Sequence, residues 1–311
     1  MTDANLVLGR LLPDHFLGGT MGLDRDRALR CLDTLSGPVS LSRQEAAAGI
    51  LEVANTAMAG AIRVISVEKG HDPKDYTLFS FGGAGGMHAL FLAQMLGIPQ
   101  VLIPRHPGIL SAMGMLVSDV RKDYARTVML IQDSDTMDMA LISSLFDPLW
   151  EQAQEELADE KVPEARTVIT SYLDMRYKGQ AYELTVPFDE KSVQRFHDAH
   201  LKRYGYAVAH RPVEVVNLRV QAKGMMEKAV PETLAQAGSA DAGGAVIGSS
   251  TAIFDHREWQ TRIVDRETLL WGHELAGPAI VVEYSSTTVI PPGFTAEVDR
   301  YGNLLCRRKN P

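Results

Sequence analysis

Residues 76–119 run through an apolar segment, the loop Phe81-Gly82-Gly83-Ala84-Gly85-Gly86, a short apolar helix segment and a second apolar segment. Four glycines in five residues, between a strand pattern and a helix pattern, are costly unless the backbone gains something, because glycine loses the most conformational freedom on folding. What it gains is positive φ and close approach of bare main chain to another group. Such a loop, opening a helix, also presents unpaired N–H groups and the positive end of the helix dipole. The order is a strand over 77–81, the loop, a helix over 87–96 closed by Gly97, a strand over 101–103 and a helix over 110–120. It predicts an α/β core with helices packed on a sheet.

The glycine spacing narrows the ligand. A Rossmann loop needs G-x-G-x-x-G and an acidic residue ~20 positions on. Here the spacing is GGAGG and the next strand ends in Pro104-Arg105-His106; Arg105 suits a 2′-phosphate, but the glycines do not fit. A Walker loop ends in Gly-Lys-Ser/Thr, which is missing. Two readings remain: a purely structural glycine turn, and the adenosine-side loop of an actin-like ATPase, in which a nucleoside packs on bare backbone. In the second, Ala112 and Gly114 leave room for close packing of the following helix at a lobe interface.

Elsewhere the chain punctuates clearly. Ser42 with Glu45 three residues on forms a capping box, and Ile50, Val53, Ala54, Ala57, Met58, Ala61, Ile62 and Ile65 recur at helical spacing. That helix is expected to run to about residue 68. Beyond Asp123 the pattern predicts a strand over 125–131, a helix over 134–160 interrupted at Asp147-Pro148, strands over 166–177 and 182–188 around Lys178-Gly179-Gln180, a helix over 192–204 and a strand over 214–222. Residues 229–251 are rich in Ala, Gly and Ser and read as a linker or mobile loop. The expected partition is an α/β unit at 1–125, an α+β domain at 126–228, a linker at 229–250 and a small β-rich unit at 251–311.

With 311 residues the chain has room for about two domains. Its net charge of −8, with no basic block, argues against a nucleic-acid partner. No apolar run approaches ~18 residues and no basic segment opens the chain, so neither a membrane span nor a signal peptide is expected. Cys31 and Cys306 lack metal-ligand spacing and suggest a reducing, cytoplasmic setting.

Longer motifs point to a family. Phe81 through Ala89 and Pro107-Gly108-Ile109-Leu110-Ser111-Ala112-Met113-Gly114 resemble the hydantoinase A/5-oxoprolinase family, which includes N-methylhydantoinase A and acetone carboxylase beta-type subunits. So do Thr2-Asp3-Ala4-Asn5-Leu6-Val7-Leu8-Gly9-Arg10, Phe16-Leu17-Gly18-Gly19, Asp174 through Gln180, Gly277-Pro278-Ala279-Ile280 and Thr287 through Gly293. The resemblance covers almost the whole chain in order. It implies a lobe of an actin-like (ribonuclease H-like) ATPase followed by an α+β, β-rich C-terminal region. It implies ATP-dependent ring opening of a cyclic amide, or carboxylation of a ketone, by phosphorylation of an amide or enol oxygen.

The resemblance also implies site residues. Gly82, Gly83, Ala84, Gly85, Gly86 and His88 are the candidates for holding ATP, and Asp3 and His88 the candidates for catalysis, with Asn5 near the phosphates; Asp3 reads equally as a helix or turn cap and His88 as a packing residue, while Arg105 and His106 are candidates by position, following a strand at its carboxyl end, where ligands of open α/β sheets collect. No metal ligand is expected in this chain. In the family, Asp-Gly-Gly-Thr hairpins that bind phosphate and Mg²⁺ precede the segment at which this chain begins. Two readings are open, an enzyme split between two polypeptides and a truncated frame; on the first, the expected partners are an N-terminal half on a separate polypeptide and a hydantoinase B-type subunit, with a non-catalytic scaffold as the alternative function. Asp174, Arg176, Tyr177 and Gln180 read either as a substrate or subunit surface or as a hairpin with a cross-strand ion pair; alternation puts Asp174 and Arg176 on one strand face and Tyr177 on the other.

Overall fold

The computed structural model describes residues 1–133, 136–228 and 230–309. It contains two compact units, one made of residues 1–114 and those from 230 onward, the other beginning at Met115.

The first unit opens with three helices, α1 (Thr2–Val7), α2 (Arg25–Ser36) and α3 (Arg43–Ile65). Asp24 caps α2 by accepting from the Arg27 amide at 2.8 Å. The Ser42–Glu45 capping box starts α3 as expected: the Glu45 amide donates to Ser42 Oγ at 3.2 Å, and the Ser42 amide donates to Glu45 at 2.8 Å. Ala4, Leu6, Leu8, Ala28, Leu32, Ala47 and Leu51 form the core between these helices. The opposite side of α3 is open, with Val53 72%, Val64 50% and Ile65 66% exposed. The stretch Arg43–Lys69 is long and apolar enough by length and composition to cross a membrane. Scattered Arg, Gln and Glu keep this Ala-rich and Val/Ile-rich segment from forming an uninterrupted apolar run.

Strand β1 (Thr77–Phe79), helix α4 (Gly85–Leu96) and strand β2 (Gln100–Ile103) follow, with β1 parallel to β2. This is the strand–loop–helix–strand unit expected from the sequence, and Gly97 closes α4 at φ +70°. Helix α5 (Leu110–Leu116) is shorter than predicted, and the chain becomes extended by Val120.

The second unit holds β3 (Val120–Gln132), α6 (Met139–Asp159), β4 (Thr167–Tyr177), β5 (Leu184–Pro187), α7 (Ser192–Tyr204) and β6 (Val213–Gly224). Its strands form an antiparallel sheet in the order β3-β6-β4-β5. Phe146, Leu157, Met175, Tyr177, Phe196 and Val220 lie in the core beneath α6 and α7. Helix α6 passes through Pro148 rather than breaking there. Burial of Phe146, Leu149 and Ala153 along one face outweighs the single backbone bond that proline removes. The predicted start of this helix at Ser134 lies outside the described residues.

The chain then returns to the first unit with β7 (Val246–Phe254), β8 (Arg257–Asp265), β9 (Glu274–Ala276), β10 (Ala279–Glu283), β11 (Ser286–Ile290), β12 (Phe294–Val298) and β13 (Leu304–Arg308). Two sheets result, in the orders β1-β2-β13-β12-β9 and β11-β10-β8-β7. Residues 251–311 therefore do not make a separate β-rich unit. β13 pairs on one edge with β2, placing Cys306 opposite Val101, and on the other with β12. Nor are residues 229–250 a free linker. The Leu234 amide donates to Arg300 O at 2.8 Å, Gln236 bridges Trp271, Asp241 bridges Glu274, and Ala242 and Ala245 are each 1% exposed. The small side chains there serve close packing, which composition alone does not distinguish from flexibility.

Candidate functional site

The glycine loop divides into an open part and a packed part. Gly82 sits at φ +86° and its amide donates to Pro107 O at 2.7 Å. An added Cβ at Gly82 would meet nothing within 4 Å. Gly83 and Ala84 are exposed, and among the described residues their amides have no acceptor. Ala84 is the N-cap of α4 and supplies no side-chain cap, so that helix end is left for solvent or a ligand. Gly86 is different. It is buried, and a Cβ there would come within 2.6 Å of Thr288 Oγ1 and 2.9 Å of Thr287 O. A Cβ at Gly83 would lie 2.9 Å from Ser285 O, and one at Gly85 2.9 Å from Ser80 Oγ. Gly108 also presses on Ser285. The β10–β11 hairpin thus packs on Gly83 and Gly86, while Gly82 keeps open space and Gly83 and Ala84 keep exposed amides without an acceptor among the described residues.

His88 does not face the open end. It is buried on α4, with Nδ1 2.8 Å from Asn55 Oδ1 on α3. Burial holds its pKa below the usual histidine value, with the chain's terminal amino group and Arg10 adding to the effect. Arg10 lies between Phe91 and Phe254, its guanidinium carbon 4.8 and 4.9 Å from the ring centroids, and donates from Nε to Ile253 O at 2.9 Å. Burial lowers its pKa to about 10, against the pull of Asp255. Asn5 is fully buried; its Nδ2 donates to Met1 O at 3.2 Å, and among the described residues its Oδ1 has no partner. Asp3 is exposed in the first turn of α1 and makes no side-chain cap. The sequence reading missed the roles of Arg10 and Asn55, since an Arg inside an apolar segment and an Asn inside an amphipathic helix carry no motif of their own.

Arg105 and His106 follow β2. The Arg105 amide donates to Asn303 Oδ1 at 3.1 Å. His106 takes φ +62°, and a ring nitrogen lies within 4.8 Å of carboxylate oxygens of Glu267 and Glu283. No spacing in the sequence links these three positions.

In the second unit the polar cluster is built into the sheet. Asp174, 1% exposed, accepts from Thr185 Oγ1 at 2.6 Å, Asn217 Nδ2 at 2.9 Å and Arg219 Nε at 2.6 Å. Its pKa is lowered: burial pushes it up, and these bonds together more than offset that. Arg176 pairs with Glu214 at 2.6 Å. Both ion pairs run to β6 rather than across the β4–β5 hairpin. Tyr177 is on the opposite, core face, as alternation predicted, with its hydroxyl 2.7 Å from His197 Nδ1 and accepting from the Val208 amide at 2.8 Å. Gln180 reaches Tyr206 at 3.4 Å and His200 at 3.3 Å.

Comparison with known proteins gives consistent matches. The hydantoinase/oxoprolinase profile matches residues 1–124, and the hydantoinase/oxoprolinase C-terminal domain profile matches residues 131–308. An uncharacterized protein of Methanocaldococcus jannaschii is 37% identical over 99% of this chain and 44% of its own length. Caprolactamase subunit alpha of Pseudomonas jessenii is 31% identical over 96% and 45%. The 5-oxoprolinase of Saccharomyces cerevisiae is 30% identical over 96% and 25%. Among solved structures, nucleotide-free acetone carboxylase superposes with a TM-score of 0.88 at 23% identity, covering 99% of this chain and 46% of that one. The ATP-dependent caprolactamase of Pseudomonas jessenii superposes with a TM-score of 0.69 at 28% identity, with the same coverage. The chain thus spans less than half the length of these relatives.

Proposed function

The chain belongs to the hydantoinase/oxoprolinase family, and from that premise we propose that it is the rear portion of an ATP-dependent cyclic-amide hydrolase. The observation that carries this reading is the open backbone at residues 82–84. Gly82 is unobstructed, and the amides of Gly83 and Ala84 are free at the uncapped start of α4. A nucleoside of ATP can lie on the main chain at Gly82, beside the exposed amides of Gly83 and Ala84, while Gly83 and Gly86, packed on the β10–β11 hairpin, fix the loop. Bound ATP would supply a phosphoryl group to the amide oxygen, activating the carbonyl carbon so that water adds there, the ring C–N bond breaks, and the phosphate is then released by a second water. Residues 77–90 contain no Asp or Glu, so the loop does not fit Mg²⁺, and the proposal places the phosphate and Mg²⁺ ligands in the front part of the relatives that this chain does not span.

His88 is a positioning residue in this reading. Neutral and bonded to Asn55, it ties α4 to α3 and so holds the loop. The exposed face of α3, with Val53, Val64 and Ile65, is the surface proposed to receive that front part. We propose further that a B-type second subunit completes the assembly and that the protein works in the cytoplasm, where ATP is available.

The test is ADP release with a hydantoin, 5-oxoproline or caprolactam, measured for this chain alone and together with a polypeptide supplying the front part. Turnover only in the combination supports the proposal. ATP hydrolysis by the chain alone, well above a Gly83→Asp variant, contradicts it. Carboxylation of a ketone in place of amide opening would replace the substrate class.

A further inference from the structure

We propose that His106, Glu267 and Glu283 form a binding site for one divalent transition-metal ion, of the Mn²⁺ or Zn²⁺ type, at the carboxyl ends of β2, β8 and β10. Their ligand atoms all lie within 4.8 Å of one another. Three segments distant in sequence supply them: the turn after β2, the 3₁₀ turn Arg266–Thr268 after β8, and the last residue of β10. β8 and β10 are parallel, with Val282 opposite Asp265, so their ends bring Glu283 and Glu267 together. Carboxyl ends of strands in α/β folds are where ligands collect.

The local charge favours a cation. Among the described residues neither carboxylate has an ion-pair partner within 4.0 Å. The nearby buried cation, Arg266, spends Nη2 on the carbonyls of Gly302 at 2.7 Å and of Ile103 and Pro104 at 3.4 Å. Two carboxylates against one guanidinium leave a net negative site. Ser286, 6% exposed, stands opposite Glu283 in the β10–β11 register, and its hydroxyl oxygen is buried without a hydrogen bond of ordinary geometry. It lies close enough to Glu283 to act on that carboxylate. The hydroxyl therefore belongs to the surroundings of the Glu283 carboxylate and holds that ligand in place.

The donor set selects the ion. One imidazole nitrogen with two carboxylates suits Mn²⁺ or Zn²⁺, whereas Mg²⁺ and Ca²⁺ prefer all-oxygen shells. Ligands about 2.1 Å from one ion are at most about 4.2 Å apart, so the group must close slightly. Exposed Glu267 is free to swing inward. Three protein ligands leave further positions for water or substrate. The site adjoins the glycine loop, since Pro107, next to His106, accepts from the Gly82 amide, and Ser285 of the same hairpin touches Gly83. It stands on its own geometry and holds whether or not the loop receives a nucleotide.

The test is Mn²⁺ titration of the full chain, read as loss of the free-ion electron paramagnetic resonance signal, with Zn²⁺ competition. One bound ion per chain is expected, displaced by Zn²⁺, with affinity falling about tenfold or more in Glu283→Gln and in His106→Ala. Glu267→Gln is the control for folding, because that side chain is exposed; it is expected to keep the melting temperature and still lose affinity. No stoichiometric binding, or binding unchanged in all three variants, overturns the proposal.

Discussion

Replacing Gly86 by Ala tests the division of the glycine loop. In an unobstructed helix position the added methyl stabilises by up to about 1 kcal/mol. At Gly86 it would sit 2.6 Å from Thr288 Oγ1, 2.9 Å from Thr287 O and 3.0 Å from Thr288 Cα. Two of those atoms are backbone of β11 and cannot rotate away. Overpacking of this kind costs about 1–3 kcal/mol, and the rigid neighbours put it near the upper end, leaving roughly 2 kcal/mol of net destabilisation. For a unit of this size that lowers the melting temperature by roughly 4–8 °C. Gly60→Ala is the internal control. Gly60 lies within α3, and a Cβ there meets nothing within 4 Å, so its melting temperature should rise or hold. The assay is calorimetry on the whole chain, with the transitions of the two units resolved. A Gly86→Ala variant that melts at or above the parent refutes the packing role assigned to this glycine.

Asn55→Ala leaves the buried His88 imidazole unpaired and should cost about 1–3 kcal/mol in urea unfolding; an unchanged midpoint would show that the bond carries no weight. Because the folded pKa of His88 lies below 6.5, its contribution is fully present above pH 6.5 and is lost as pH falls through the folded value. The acid slope of first-unit stability in that range should flatten in His88→Gln. Asp174, also lowered, contributes above the unfolded carboxylate value, about 3.9, and loses it as pH falls through its folded value. Asp174→Asn should remove that part of the acid transition in the second unit and leave the first unit's transition unmoved. Val53→Asp, on an exposed face, should leave the melting temperature unchanged and weaken association with the front part in co-purification.

The sequence specified the local elements of the molecule well where chemistry is local. The Ser42–Glu45 box, the Gly97 stop and the β1–loop–α4–β2 order all follow from residues within a few positions of one another. Long-range pairing was hidden. Nothing near Cys306 says that β13 pairs with both β2 and β12, so the last strands read as a unit of their own. Ala242 and Ala245 look like linker residues until their burial is seen. At the site, the glycines announced close approach, but not to what. Gly86 meets Thr287 and Thr288 about two hundred residues later, whereas Gly82 meets open space. His106, Glu267 and Glu283 carry no spacing signal because the fold alone gathers them.

The most direct measurement is photolabelling with 8-azido-ATP of the chain assembled with the front part, mapped by mass spectrometry. Adduct on residues 81–88, abolished by excess ATP, is the predicted result. Adduct confined to other peptides, or labelling that ATP does not displace, would contradict the placement of the nucleoside on the backbone of residues 82–84.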